Sequence, residues 1–307
     1  MHHHIYIPEA NISRYIPSEL AECDAKEYIN ICELLYLYQS NQIAFMQFKV
    51  AAVYRLLKMK EAKHPLLPTQ ILDESITEED IKASNIYELT QLIDTFFEDQ
   101  EGVKVIKQNY LTNPVPTIRP SLIKYHGPAD NFHNLTFGEY LDALRLFNDF
   151  HSCGDPEILY LLVAILYRPA APFHFFQKDK GDIREEYNSH TIEKRAKKLK
   201  YAPFGFIYGV YLLFASFQKA LVEMKLNWGG KELDLSILFD SSETQDESNE
   251  LPGIGMDALA FTMAESGAFG DYEALRLANF WQIIVRMYDM RKSDLERQKH
   301  ESNATTK

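Results

Sequence analysis

Cysteine is scarce in this chain of 307 residues: only Cys23, Cys32 and Cys153 occur, an odd number with no Cys-x-x-Cys pair. That excludes a disulfide framework and a zinc knuckle, and reduced thiols in a reducing compartment are expected. Catalytic signatures are missing too. There is no Gly-x-Ser-x-Gly elbow, no Walker loop, no Gly-x-Gly-x-x-Gly and no His-Glu-x-x-His, so the usual sequence grounds for a hydrolase, NTPase, dinucleotide enzyme or metalloprotease are absent. The ten histidines are scattered. His126 and His133 straddle Gly127-Pro128, His151 lies near Cys153, and His2, His3 and His4 adjoin. None has the spacing that puts two ligands on one helix face, so no metal and no cofactor are expected.

Positive charge is also short. Lys and Arg number 32 against 44 Asp and Glu, a net charge of −12. A field of that sign repels a phosphate backbone, so no nucleic-acid partner is expected. Lys194–Lys200 (KRAKKLK) is the local exception, read as pairing with the protein's own carboxylates or solvated. Long apolar runs are nearly absent: Tyr201–Gln218 alone lacks charge over a length that could span a membrane. Pro203, Gly205, Gly209, Ser216 and Gln218 interrupt it, so it is read as a buried central helix, and no membrane partner is expected. The start, MHHHIYIPE, lacks the basic region, apolar run and cleavage site of a secretory signal.

What is present is an ordinary globular balance, 46 % hydrophobic and 25 % charged, with 18 Tyr and 19 Phe. Apolar residues recur at helical spacing over most of the chain. A first helix is expected over about 20–37, capped at Ser18, and a second over about 43–59, ended by His64-Pro65 and Pro68. Thr77 is read as starting a short helix over 78–84, with Asn85 capping another over 86–98. Thr136 and Glu139 form the capping-box pattern of a further helix, and Pro156 opens the next. The fold class is therefore all-α, an irregular bundle of helical hairpins. Its parts are an N-terminal helical region 1–112, a proline-rich linker or arm 113–134, a region 135–239 with the apolar central helix, an acidic loop 240–255, C-terminal helices 256–296 split near Gly267–Gly270, and a frayed tail 297–307.

Two segments match each other beyond composition. AKEYINICELLYLYQSNQIAFMQFKVAAVYRLL begins at Ala25 and FGEYLDALRLFNDFHSCGDPEILYLLVAILYRPA at Phe137. Each carries Glu-Tyr near its start, an apolar helix, a polar turn and a second apolar helix closing on Tyr-Arg. Tyr28 and Arg55 are 27 residues apart, Tyr140 and Arg168 are 28 apart. This reads as a duplicated helical hairpin. Near the C-terminus Phe280, Trp281, Ile284 and Met287 form a helical stripe, with Phe269 at the glycine break. The stripe is read first as core; the rival reading makes these five residues a partner-binding surface.

The stretch 134–169, NLTFGEYLDALRLF…GDPEILYLLVAILYRP, resembles helical proteins of tailed bacteriophages described as tail assembly chaperones or related structural proteins. MDALAFTMAESGAFGDYEALRLANFWQIIVRMYDMR, Met256–Arg291, looks like the helical ends of such proteins. The resemblance implies a non-enzymatic phage morphogenesis or virion protein. It would act through protein contacts with phage structural or tail proteins, in the host cytoplasm and in the virion, with self-association left open. The alternatives are an enzyme whose site is assembled from dispersed residues, and a membrane-associated factor using Tyr201–Gln218.

Overall fold

The computed structural model describes residues 2–7, 11–59, 78–173, 181–238 and 256–305. The calls on His64-Pro65, Pro68, Thr77 and the acidic loop 240–255 lie outside these residues. Helix takes up 59 % of the chain. The fold is mostly helical, but it is not purely all-α, because four small antiparallel sheets accompany the helices described. Two compact units divide it. The first comprises 1–110 and 203–212, the second 111–202 and 213–307.

In the first unit, β1 (His3–Ile7) and β2 (Ile12–Ile16) form a hairpin, followed by α1 (Ala25–Gln39), α2 (Phe45–Leu56) and α3 (Glu78–Leu92). The hairpin of β3 (Phe97–Gln100) and β4 (Val103–Ile106) comes next. Asp24, not Ser18, caps α1. Its carboxylate accepts from the backbone N–H groups of Lys26 and Glu27, and Glu27 returns a bond to the Asp24 N–H. Ser18 instead donates to Glu22 ahead of a short 3₁₀ turn. Asn85 starts no helix: α3 runs through it, and β3 occupies the end of the expected 86–98 helix. Tyr28, Ile31, Leu34 and Leu35 of α1 and Phe48, Ala52 and Val53 of α2 are buried.

The apolar run became α7 (Phe204–Glu223), whose residues up to Leu212 belong to the first unit and from Leu213 to the second. Glycine lets it approach α1 closely. A Cβ at Gly205 would lie 2.0 Å from the Ile29 carbonyl oxygen, and one at Gly209 would lie 2.5 Å from the Tyr28 ring. The Tyr28 hydroxyl donates to the Gly209 carbonyl at 2.7 Å. Among the described residues α7 is the one helix long and apolar enough to cross a membrane; 78 % of its apolar window is buried inside the protein.

In the second unit the stretch 113–134 is neither a linker nor an arm. It contains β5 (Thr117–Ile118) and β6 (Tyr125–His126), which form a three-stranded sheet with β7 (Arg168–Pro169). Val115, Tyr125 and Phe132 are buried, and Asn113 bonds to Pro128 and to the Val115 N–H. The prolines shape short strands and turns here, which composition alone cannot distinguish from a spacer. The helical hairpin of α4 (Phe137–Cys153) and α5 (Pro156–Leu166) follows, with the expected capping box at Thr136 and proline at the start of α5. Then come α6 (Ile192–Leu199), the hairpin of β8 (Lys225–Trp228) and β9 (Lys231–Asp234), and α8 (Met256–Glu265), α9 (Tyr272–Leu277) and α10 (Phe280–Thr305). The C-terminal break lies where expected, with Gly267 and Gly270 at positive φ, and a second break follows α9. Residues 297–305, expected to be frayed, continue α10.

The aromatic core of this unit gathers Phe132, Tyr140, Phe214, Phe217, Phe280 and Trp281, with ring centroids 4.3–6.3 Å apart in the closest pairs. The segments 134–169 and 256–291 are joined through backbone. The Phe137 N–H donates to the Ala278 carbonyl and the Phe280 N–H to the Leu135 carbonyl, each at 2.9 Å.

Candidate ligand cleft and its buried arginines

Glu139 sits at the third position of α4, where a capping box wants a carboxylate. One oxygen, Oε2, accepts from the Thr136 N–H at 2.9 Å. The side chain is 0 % exposed, so a charge that usually stays wet is carried inside. Its compensation comes from two guanidiniums. Oε1 lies 3.0 Å from Arg168 Nη2 and 3.2 Å from Arg184 Nη1. These contacts are within ion-pair distance but off the hydrogen-bond direction, so Oε1 accepts no aligned bond.

The two arginines are supplied by different devices. Arg168 follows the end of α5 in β7, where it pairs with His126 of β6. Arg184 is held by a backbone bridge to Ala170. Arg184 spends its donors fully. Nε reaches both oxygens of Asp182 at 3.0 and 2.9 Å, Nη1 donates to the Leu166 carbonyl at 2.8 Å, and Nη2 to the Asn134 carbonyl at 3.0 Å. Arg195 of α6 similarly donates to the Ala164 carbonyl at 2.8 Å and to Glu185 at 3.0 Å. Two cations therefore cap the last carbonyls of α5, where the helix dipole is negative.

Arg168 is treated differently. It is 1 % exposed, its nearest Asp182 oxygen is 3.4 Å away, and Nε and Nη1 meet no acceptor. The Tyr187 ring lies over it, with 5.7 Å from Cζ to the centroid. Burial pushes the Arg168 guanidinium down to about 10, with the neighbouring Arg184 adding to the fall and Glu139 opposing it. For Arg184, burial pulls down as well, but Glu139 and Asp182 outweigh it and hold the group above its ordinary value. The opposite directions follow from the bonding: one arginine has its acceptors and the other does not.

Tyr187 carries the network outward. Its hydroxyl donates to Asp142 Oδ2, which also faces Arg276 Nη2 at 2.5 Å. Burial, with the Asp142 carboxylate adding to it, pushes the Tyr187 phenol up, so it stays a protonated donor. Beside this group lies a cleft of about 520 Å³ lined by Thr136, Arg168, Asp182, Arg184, Tyr187 and Leu277 among others. A second, of about 420 Å³, shares Glu186, Tyr187 and Leu277 with it and adds His190, Glu273 and Arg276. Glu139, Asp142, Asp182 and Glu185 each face a guanidinium. That arrangement suits holding and recognising charge better than transferring a proton.

Comparison with protein-family models, curated proteins and solved structures finds no match. The site therefore rests on its own geometry.

The residues singled out from sequence lie elsewhere in the second unit. Phe280, Trp281, Ile284 and Met287 are buried, with Trp281 donating from Nε1 to the Asn131 carbonyl at 3.1 Å. Phe269 is half-buried. Of the basic run, Arg195 and Leu199 face inward, Lys200 pairs with Glu157 at 2.5 Å, and Lys194 and Lys197 are exposed. Among the described residues no group of three or more His, Cys, Asp and Glu is placed to hold a metal ion. From sequence, Glu139 reads as a cap and Arg168 as a repeat marker, and nothing singles out Asp182 or Arg184. A usable signal was present: an arginine between the apolar helix PEILYLLVAIL and a proline has little chance of staying wet.

Proposed function

We propose that the protein is a non-enzymatic morphogenesis protein of a tailed bacteriophage, tail-assembly-chaperone-like, that works by binding phage structural or tail proteins in the host cytoplasm and in the virion. One observation carries this reading beyond the sequence. The two segments that bear the resemblance, 134–169 and 256–291, are far apart in the chain yet hydrogen-bonded backbone to backbone and joined by the Asp142–Arg276 ion pair. A single packed module supports one shared origin better than two unrelated coincidences would. We also infer that the α1–α2 and α4–α5 hairpins descend from one duplicated hairpin. Support comes from the shared start: in each, a capping-box Glu at the third helical position precedes a buried Tyr at the fourth.

The test is co-expression with proteins encoded by neighbouring genes, followed by size-exclusion chromatography. A stable complex with a tail-tube or tape-measure protein is expected. Neighbouring genes unrelated to phage tails, or no complex with any tail component, would sink the reading. A dispersed-residue enzyme is the second reading, favoured by Asp182 and Tyr187 lining the cleft, with Asp142 bonded to Tyr187 and Glu139 facing Arg168 and Arg184. Against it, Tyr187 is held as a donor, and Glu139, Asp142 and Asp182 each hold an arginine. The membrane-associated alternative rests on α7 alone.

A further inference from the structure

A guanidinium has five N–H donors. Three of those on Arg168, one on Nε and two on Nη1, have no acceptor among the described residues, although the side chain is almost wholly buried. Leaving buried donors unmet is costly, and more so on a charged group. Arg184, which faces the same carboxylate, is bonded at Nε, Nη1 and Nη2, and Arg195 leaves only Nη2 unmet. Both arginines line the cleft of about 520 Å³, a volume within the range of small-molecule sites, and of the two Arg168 is the one with unmet donors.

We propose that this cleft binds a small molecule through one oxyanion, a carboxylate or a phosphate group, that accepts from the unmet N–H groups of Arg168. The carboxylates nearby do not already fill that role. Asp182 is bonded closely by Arg184, Glu185 by Arg195 and Asp142 by Arg276. Glu139 approaches Arg168 only through Nη2. The rest of the lining restricts the ligand further. Glu186 borders both clefts and Glu273 the second, so a remainder carrying more negative charge is repelled, and a neutral or cationic one is favoured. Tyr187 and Leu277, shared by the two clefts, give that remainder a ring and an aliphatic surface to lie against. This site is independent of the assembly role proposed above.

Acetate and inorganic phosphate serve as probes, each titrated into the full chain against chloride at matched ionic strength. Thermal midpoint and calorimetric titration are the readouts. One or both probes should bind and raise the midpoint, and which one does separates carboxylate from phosphate recognition. Arg168→Lys keeps the charge opposite Glu139 but removes the guanidinium donors, and should weaken binding about tenfold or more. Ala171→Phe narrows the cleft without touching the arginines and should weaken it as well. If Arg168→Lys does not fold, Ala171→Phe decides by itself. Absence of anion-specific binding in the wild type, or binding that Ala171→Phe leaves unchanged, overturns the proposal.

Discussion

Asp24-Ala25-Lys26-Glu27-Tyr28 and Thr136-Phe137-Gly138-Glu139-Tyr140 begin two helices with the same chemistry. A side-chain oxygen caps the third N–H, a glutamate at that position answers the cap, and a buried tyrosine follows. Both tyrosines then reach into α7 within their own units, Tyr28 to the Gly209 carbonyl and Tyr140 to the Gln218 side-chain oxygen. Beyond that the hairpins part. Glu27 is only half-buried and answers the cap, whereas Glu139 is sealed inside and faces two arginines. Arg55 lies within α2 and stays partly wet, whereas Arg168 sits past the end of α5, in a strand, and is buried. One local pattern can thus end in a solvated pair or in a buried charge network. What decides is the chain packed over it, and here that is the segment bringing Asp182, Arg184 and Tyr187.

The sharpest way to break this comparison is to remove the buried cation. Arg168→Met leaves Glu139 with Arg184 as its one poorly aligned cationic partner and should cost about 3–5 kcal/mol in urea unfolding. A cost no larger than that of the equivalent change at Arg55 would mean the two arginines differ in position only. Trp281→Ala tests the apolar side of the same unit. The ring packs on Phe217 and Phe280 and is 8 % exposed, so about 3–5 kcal/mol of stability should be lost. Unchanged stability together with loss of a tail-protein complex would instead make Trp281 a partner anchor.

The first hairpin meets α7 by close approach. Gly205→Ala drives a methyl into the Ile29 carbonyl oxygen, which is backbone and cannot turn aside. A loss of about 1–3 kcal/mol is expected. Wild-type stability for this variant would show that α7 can draw back from α1, and the contrast with the second unit would soften.

Much of this fold could be read from periodicity and capping. The helices at 25–39, 45–56, 137–153, 156–166 and 204–223 follow from apolar spacing, from Thr136 and Glu139, and from Pro156. The small sheets could not be read, because two-residue strands such as β5 and β6 leave no alternating pattern. The arginine network was hidden for a related reason. Glu139, Arg168 and Arg184 are ordinary surface residue types, and only contacts made across the fold show that they are buried. The stripe at Phe280, Trp281, Ile284 and Met287 is visible as a stripe, but the rings packed on it, Tyr140 and Phe217, are ones that sequence spacing cannot bring to it.

A smaller effect is expected at Asp94 in the first unit. Burial pushes this carboxyl up, but hydrogen bonds from Lys104 and Lys49, at 3.0 and 3.1 Å, outweigh it and hold the group below the ordinary carboxylate value of 3.8. A depressed carboxyl contributes stability that is present above the unfolded value and lost as pH falls through the folded one. Wild type should therefore lose this increment below about pH 4, and Asp94→Asn should lack that part of the acid dependence. The group is partly exposed and its partner Lys104 lies at the surface, so solvent screening keeps the increment at neutral pH to about 1 kcal/mol or less. Identical acid unfolding curves for the two proteins would remove Asp94 from the account.

The smallest effect belongs to the arginine that sequence alignment placed opposite Arg168. Arg55 Nη1 donates to Glu33 at 2.5 Å and to the Asn30 carbonyl at 3.0 Å, but the two side chains are 35 % and 43 % exposed. Water and salt screen such a pair, and fixing two long side chains offsets part of the attraction. Arg55→Ala should cost about 0.2–1 kcal/mol. The pair's own share should shrink between low and high salt, and a double cycle with Glu33→Ala isolates it from the bond to Asn30 and from packing of the Arg55 stem. Screening cannot reach Glu139, so the corresponding coupling between Arg168 and Glu139 should hardly respond to salt. A salt-independent coupling of several kcal/mol at Arg55 would restore the equivalence of the two arginines, and with it a stricter form of the duplication than their burial now supports.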